Sequence, residues 1–301
     1  MKRILVVGSI NMDTVVNVDH HPKTGETILG RNIEYFHGGK GENQAYAIAN
    51  LSGNVSMLSV VGNDEAGISL LENLDRVGVV VSRINIRKDV HSGTAFISIN
   101  KEGNNFIIVS PGANDKCDIA YIKNTEDIFE DIDYLLIQME IPLETLNFVV
   151  DKAHSMGKIV ILNPAPAQKI SDEILSKIQY LTPNETELEI LTEMSCNTLD
   201  EIKEASKYLI EKGLANVVIT LGEKGAIVLN NKEAKIVPGR FVKAVDTTAA
   251  GDCFNGAFTI GLSEGLSVED AILFANKAAS ISVTRKGAQS SMPNRSEVEL
   301  Y

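Results

Sequence analysis

Short apolar runs that stop at glycine or polar residues recur along this chain: Ile4 to Val7, Leu135 to Met139, Ile159 to Leu162, Tyr180 to Leu181 and Val217 to Ile219. Runs this short, without polar alternation, suit strands buried on both faces of a parallel sheet. Helix-period patterns lie between them, such as Leu146, Val149, Val150 and Ala153 closed by Gly157, and Leu199, Ile202, Leu209 and Ile210 closed by Gly213. Thr198 and Glu201 stand at capping-box spacing before the second. Alternating strands and helices need right-handed crossovers, so the pattern predicts a three-layer α/β/α domain around a mostly parallel sheet.

Two segments break this rhythm. Between Val15 and Phe36, and again between Thr94 and Val109, apolar and polar residues alternate with period two, and Glu102-Gly103-Asn104 marks a hairpin turn. The expected division is a main domain of residues 1–13, 37–93 and 110–301, with residues 14–36 and 94–109 forming a small antiparallel sheet that stands off it. Two readings fit such an appendage: a lid that shuts water out of a site, or decoration.

The 301 residues, 44% of them apolar, are enough for a sizeable core. The formal charge of −12 argues against nucleic-acid and membrane partners, which usually need clustered Lys and Arg. The first apolar run is too short for a signal peptide's core, no stretch reaches membrane-span length, and the three cysteines have no close spacing. The expected location is the cytoplasm. The five histidines do not cluster, so no zinc site is expected from them.

The most informative segment runs from Val245 through Asp252 to Phe258, where small residues lead into a helix with Phe254, Ala257 and Phe258 on its inner side. N–H groups of residues 249–252 would then stand unpaired at a helix head, where they can bind phosphate oxygens around the Asp252 carboxylate. Taken alone, an aspartate there is more commonly a first-turn residue favourable to the helix dipole. Gly38-Gly39-Lys40-Gly41-Glu42-Asn43 also precedes a helix pattern, and its glycines permit close approach of a ligand or simply a flexible loop. Polar residues past the proposed strand ends (Asn11 and Asp13, Glu140, Asn163, Asn184 with Glu187, and Thr220 to Gly225) share the edge where open α/β sheets bind ligands. No Gly-x-Gly-x-x-Gly follows the first strand, which removes a nicotinamide dehydrogenase from consideration.

Together, Gly38 to Asn43, Asn184-Glu185-Thr186-Glu187 and Asp246 to Gly256, in this order and spacing over nearly the whole chain, resemble the signature set of the ribokinase-like carbohydrate kinases. The resemblance extends to Asn11-Met12-Asp13 and Thr284 to Gln289. It implies transfer of the γ-phosphate of ATP to a sugar hydroxyl, with D-ribose, phosphorylated at O5, as the leading acceptor. Asp252 matches the general base, with Ala249, Ala250 and Gly251 as the anion hole; most of the family has glycine at the position of Ala249, and some members share the alanine. Asn11, Asp13, Gly39, Lys40, Asn43 and Glu140 match sugar-binding positions. Asn184, Thr220, Leu221, Gly222, Glu223, Lys224, Gly225, Gly251 and Asn276 match ATP-binding positions. Glu187 matches a residue that orders Mg²⁺, directly or through water. Asp246, Thr248, Ser282, Arg285, Gly287 and Ser291 match a K⁺ site built largely from backbone carbonyls, which implies activation by K⁺. The resemblance also implies a homodimer through the β lid, with Phe36, Phe96 and Phe106 in the contact. Deoxyribose, a ketohexose or a nucleoside as acceptor, or a non-catalytic sugar-binding regulator, are the alternatives.

Overall fold

The computed structural model describes residues 2–301. Its large sheet has eight strands: β1 (Arg3–Val7), β4 (Asn54–Leu58), β9 (Tyr134–Gln138), β10 (Ile159–Asn163), β11 (Tyr180–Leu181), β12 (Asn216–Thr220), β13 (Gly225–Asn230) and β14 (Ala234–Pro238). They lie in the order β14-β13-β12-β11-β10-β9-β1-β4, parallel from β4 to β12 and antiparallel from β12 to β14. The expected apolar runs all fall in parallel strands; the terminal β13–β14 hairpin was not anticipated.

Alternate residues of the central strands enter different cores. Leu5, Val7, Leu135 and Ile137 pack under α4 (Leu143–Ser155), α5 (Asp172–Leu175), α6 (Glu185–Thr192) and α7 (Leu199–Glu211), beside the short α3 (Ile119–Lys123). Ile4, Val6 and Leu136 pack under α1 (Lys40–Asn50), α2 (Glu65–Val77), α8 (Ala250–Ser263), α9 (Val268–Ser282) and α10 (Arg295–Leu300). Because both strand faces are covered, the runs read as continuously apolar, and three layers result. Local signals set the helix ends: Thr198 and Glu201 form the capping box of α7, an arrangement in which the cap residue is typically worth about 1 kcal/mol.

The second sheet orders β3 (Ile33–Gly38), β2 (Asn11–Asn17), β7 (Gly93–Ile99) and β8 (Asn105–Ser110). Its outer pairings are antiparallel, as the alternating pattern predicts, while β2 and β7 run parallel at its centre. Both of these strands leave the main domain at the same edge, so they point the same way. β2 already begins at Asn11 and β3 ends at Gly38, so the roots of this sheet reach further toward the main domain than the expected boundaries at 14 and 36. A two-stranded parallel pair, β5 (Val60–Gly62) and β6 (Asn85–Arg87), braces the same region.

Candidate active site

Four chain segments converge at the carboxyl edge of the parallel strands. After β1 the chain passes Ser9 and enters β2 at Asn11; β9 is followed by Glu140; β3 runs through Gly38 into the head of α1; and α8 starts beside them. A Cβ at Gly38 would lie 2.4 Å from Asp13 Oδ2, so any side chain there would push this carboxylate aside. Gly39, the N-cap of α1, has φ of 89° and packs against the backbone of residues 9–11, a conformation costly for other residues.

These constraints assemble a polar pocket. Glu140 Oε2 accepts from Ser9 Oγ at 2.5 Å and from the Lys40 N–H at 3.1 Å. Asn114 donates to Asn11 Oδ1 at 2.7 Å, which leaves the Asn11 amino group free to face a ligand. Asp252 is buried in the first turn of α8; its Oδ2 accepts from Asn43 Nδ2 at 3.1 Å and its Oδ1 from Gln44 Nε2 at 2.9 Å. The Asn43 amide is itself oriented by Gln289, which donates to its oxygen at 3.2 Å.

The charge balance is lopsided. Burial, then Glu140 and Asp252, push Asp13 up to about 7. Burial also raises Asp252, against the pull of Lys40 and the donors Gln44 and Asn43. Lys40 loses hydration on burial, yet Asp252, Glu140 and Glu187 hold its ammonium above the usual lysine range. One cation among Asp13, Glu140, Asp252 and Glu187 leaves carboxylate acceptors unneutralised, which suits donors such as sugar hydroxyls and a divalent cation.

On the other side of the Asp252 turn lies a cavity of about 390 Å³. Thr220, Gly222, Glu223, Gly225, Gly251 and Asn276 line it, along with Ala250. Asn184, Leu221 and Lys224 do not: Leu221 is buried, and Asn184 caps α6 while bridging to Thr220. Asn276 donates to the carbonyls of Val237 and Pro238, which ties α9 to β14 along the cavity wall. Val242, Ala244, Ala279 and Val283 also line it and carried no signal in the sequence, because they contribute shape and backbone; Arg240 adds a cationic side chain, and Thr247 and Phe254 come from the 245–258 segment.

The turn at the head of α8 joins the two sides. Ala249 caps α8 with φ of 57°. The Ala250 N–H is turned back onto Thr247 O at 3.2 Å, which corrects the expectation that all four N–H groups of 249–252 stand free. Those of Ala249, Gly251 and Asp252 have no acceptor among the described residues. The turn is pinned by Asp246, which accepts from the Thr248 N–H and, at 2.9 Å, from the Gly287 N–H. Burial opposes its charge, but these donors hold Asp246 below the usual carboxylate range. Asp246, Thr248 and Gly287 are therefore adjacent; Ser282 and Ser291 are buried, their hydroxyls donating to Ala279 and Ala288, and Arg285 commits its guanidinium to Glu297 at 2.6 Å. Glu187 uses one carboxylate oxygen to cap the Asn184 N–H at 2.9 Å, and burial raises its pKa. Cys253, buried beside Asp252, is pushed by burial up to about 12 and is no nucleophile. Among the described residues no cluster of three or more His, Cys, Asp or Glu forms a ready metal cage.

The family model described as pfkB family carbohydrate kinase matches residues 1–295. The chain belongs to this family. Among curated relatives of this pfkB kinase, it is 42% identical over 296 residues to the ribokinase of Haemophilus influenzae, covering 98% of this chain and 97% of the relative. It is 43% identical to the ribokinase of Bacillus subtilis, covering 99% of each. The deoxyribokinase of Salmonella typhimurium is 36% identical over 99% of this chain and 98% of its own length. Of solved structures, the Thermotoga maritima ribokinase superposes with a TM-score of 0.92 at 42% identity, covering 100% of this chain and 99% of the other. The Arabidopsis thaliana ribokinase complexed with ribose and ATP gives 0.93 at 33% identity, covering 99% and 98%. The chain is thus an ATP:sugar phosphotransferase of the ribokinase fold.

Three residues that hold the pocket's side chains in place escaped the sequence reading, one of them Ser9, which donates to Glu140. Gln44 directly follows the glycine-rich motif, and Asn114 lies in a 3₁₀ turn 103 residues from its partner Asn11. Only the spacing of Gln44 to Asn43 in one helix turn offered a signal; nothing local marked Asn114.

Proposed function

We propose that this protein transfers the γ-phosphoryl group of ATP to O5 of D-ribose, giving ribose 5-phosphate, with Asp252 as the general base. The observation that carries this reading is the position of Asp252: its carboxylate faces the pocket of Asn11, Asp13, Lys40 and Glu140, while the turn it belongs to, Ala250 and Gly251, lines the cavity. A sugar held by the pocket and a triphosphate in the cavity then meet at one carboxylate. The base takes the hydroxyl proton as oxygen attacks the γ-phosphorus, and the free N–H groups of the turn receive the charge that develops.

Asp13, Asn11, Lys40, Asn43, Glu140 and the Gly39 backbone bind the sugar in this reading. Thr220, Gly222, Glu223, Gly225, Gly251 and Asn276 hold the nucleotide in the cavity, while Asn184, Leu221 and Lys224 support its rim. Mg²⁺ accompanies the triphosphate, and the acidic excess with the oxygen that Glu187 leaves free fits a hydrated Mg²⁺ there. When bound, it neutralises charge on the phosphates. A K⁺ held by backbone carbonyls of Asp246, Thr248, Ser282, Arg285, Gly287 and Ser291 would fix the turn; the adjacency of Asp246, Thr248 and Gly287 supports this part of the reading. The lid reading of the small sheet and a homodimer through it are supported by the exposed Tyr35, Phe36, Phe96 and Phe106. No described helix is long and apolar enough to cross a membrane, and the ATP-dependent reaction suits the cytoplasm.

The test is product identification with ATP, Mg²⁺ and K⁺: ribose 5-phosphate is the expected product. A second reading, favoured by the deoxyribokinase relatives, is 2-deoxyribose as acceptor. Buried polar groups that bond the 2-hydroxyl would reject the deoxy sugar by large factors. Equal efficiency on both sugars would remove the preference for ribose.

A further inference from the structure

Behind Asp252 lies an array of side-chain amides that does not face the sugar pocket. Gln44 and Gln138 are both fully buried. Gln138, the last residue of β9, donates its Nε2 to Gln44 Oε1 at 2.6 Å. With its oxygen engaged, Gln44 turns its amino group toward Asp252 Oδ1 at 2.9 Å and Asn163 Oδ1 at 3.0 Å. Asn163 in turn donates to Thr182 O at 3.1 Å, which leaves its own oxygen as the acceptor for Gln44. Each amide therefore has its orientation set by a neighbour, and the sequence of donors ends on the carboxylate. Gly8 makes room for the array, since a Cβ there would lie 2.0 Å from Gln138 Oε1.

We propose that Gln44 is a positioning residue for phosphoryl transfer, holding the Asp252 carboxylate in one plane and in its ionised form through the Gln138–Gln44–Asn163 array. The inference rests on the reading of Asp252 as the base. One donor per carboxylate oxygen, Asn43 on Oδ2 and Gln44 on Oδ1, fixes the rotation of the group. The charged groups facing Asp252 are Lys40 from α1, which favours its ionisation, and Asp13 from β2, Glu140 after β9 and Glu187 from α6, which oppose it. With one cation against three carboxylates, neutral donors weigh heavily in keeping the base charged.

Gln44→Met keeps the side-chain volume and removes the donor. The expected result is a fall in kcat of roughly tenfold to a hundredfold, the scale of a misplaced reacting group. KM for the acceptor sugar should change little, because Gln44 acts only through Asp252. The acid limb of kcat/KM should move up by about one pH unit, the scale of one hydrogen bond to a charged group. Gln138→Met, which frees the Gln44 amide to turn over, should shift the limb the same way by less. If Gln44→Met lowers only thermal stability and leaves kcat and the acid limb in place, the array is core packing and the proposal falls. Should that variant fail to fold, Gln138→Met carries the test, and an unmoved limb there overturns it. The assays use whichever sugar the wild type phosphorylates, so failure with ribose bears on the substrate and an unmoved limb bears on Gln44.

Discussion

The two halves of the site are built by opposite means. The acceptor side is a buried pocket whose carboxylates and amides are already bonded to one another: Ser9 to Glu140, Asn114 to Asn11, Asn43 and Gln44 to Asp252. The proposed nucleotide side is a cavity walled mostly by glycines, small residues and backbone, with the N–H groups of Gly251 and Asp252 unengaged at its edge. Side-chain recognition prepaid in folding favours discrimination among sugars, because a missing hydroxyl strands a buried partner. Backbone recognition favours shape and developing charge, which every triphosphate shares. Asp252 stands where the two meet.

Substitutions at glycine break this comparison most directly. Gly38→Ala places a Cβ against the Asp13 carboxylate in the absence of any ligand. We expect kcat/KM for the sugar to fall by about a hundredfold or more, the scale of a misplaced contact group, with KM for ATP nearly unchanged; steady-state kinetics in both substrates checks this. Gly251→Ala is the opposite case, since a Cβ there meets nothing within 4 Å. Thermal stability should be unaltered, while kcat/KM for ATP falls roughly tenfold as the methyl group enters the cavity edge. A loss of stability, or an effect on the sugar instead, would erase the distinction between the halves.

A gentler probe is pH. In the proposed reading sugar hydroxyls donate to ionised Asp13, which burial and nearby carboxylates push up to about 7. Acceptor affinity should therefore weaken as pH falls through about 7, by up to about tenfold per unit, while nucleotide affinity stays flatter. The folding sign is the reverse. The native state holds this proton more tightly than the unfolded chain, so the stability it contributes is full below the ordinary aspartate range and is lost as pH rises through about 7. Asp13→Asn should accordingly raise the melting temperature at pH 8 and weaken sugar binding, as calorimetry at pH 5 and pH 8 would register. The smallest effect expected is from the monovalent cation. Replacing K⁺ by a large organic cation should lower kcat severalfold, since a loosened 246–252 turn weakens its donors without removing them; equal rates in both would deny the cation that role.

The same contrast explains what could be read before folding. Asn11, Asp13, Lys40, Asn43, Glu140 and Asp252 are polar letters at strand ends or beside glycines, and the parallel sheet brings them together because its strands finish at one edge. The large sheet was legible for a related reason: strands covered on both faces, such as Ile4 to Val7, stay apolar throughout. Val242, Ala244, Ala279 and Val283 were not legible, because a cavity wall made of backbone and small apolar side chains leaves no chemical letter. Asn114 and Gln138 reach their partners only through tertiary contacts more than ninety residues apart in sequence, and no local pattern encodes them. The parallel β2–β7 pairing was hidden likewise, since period-two alternation is the same in either strand direction.

The most direct trial of the role of Asp252 pairs two readings on one variant, Asp252→Asn: turnover of ribose with ATP, Mg²⁺ and K⁺, and ribose binding by calorimetry. Turnover should drop by roughly 10²–10⁴, the range for a lost general base, while ribose still binds near the wild-type affinity. Turnover within a few fold of wild type, with ribose bound normally, would show that another group takes the proton.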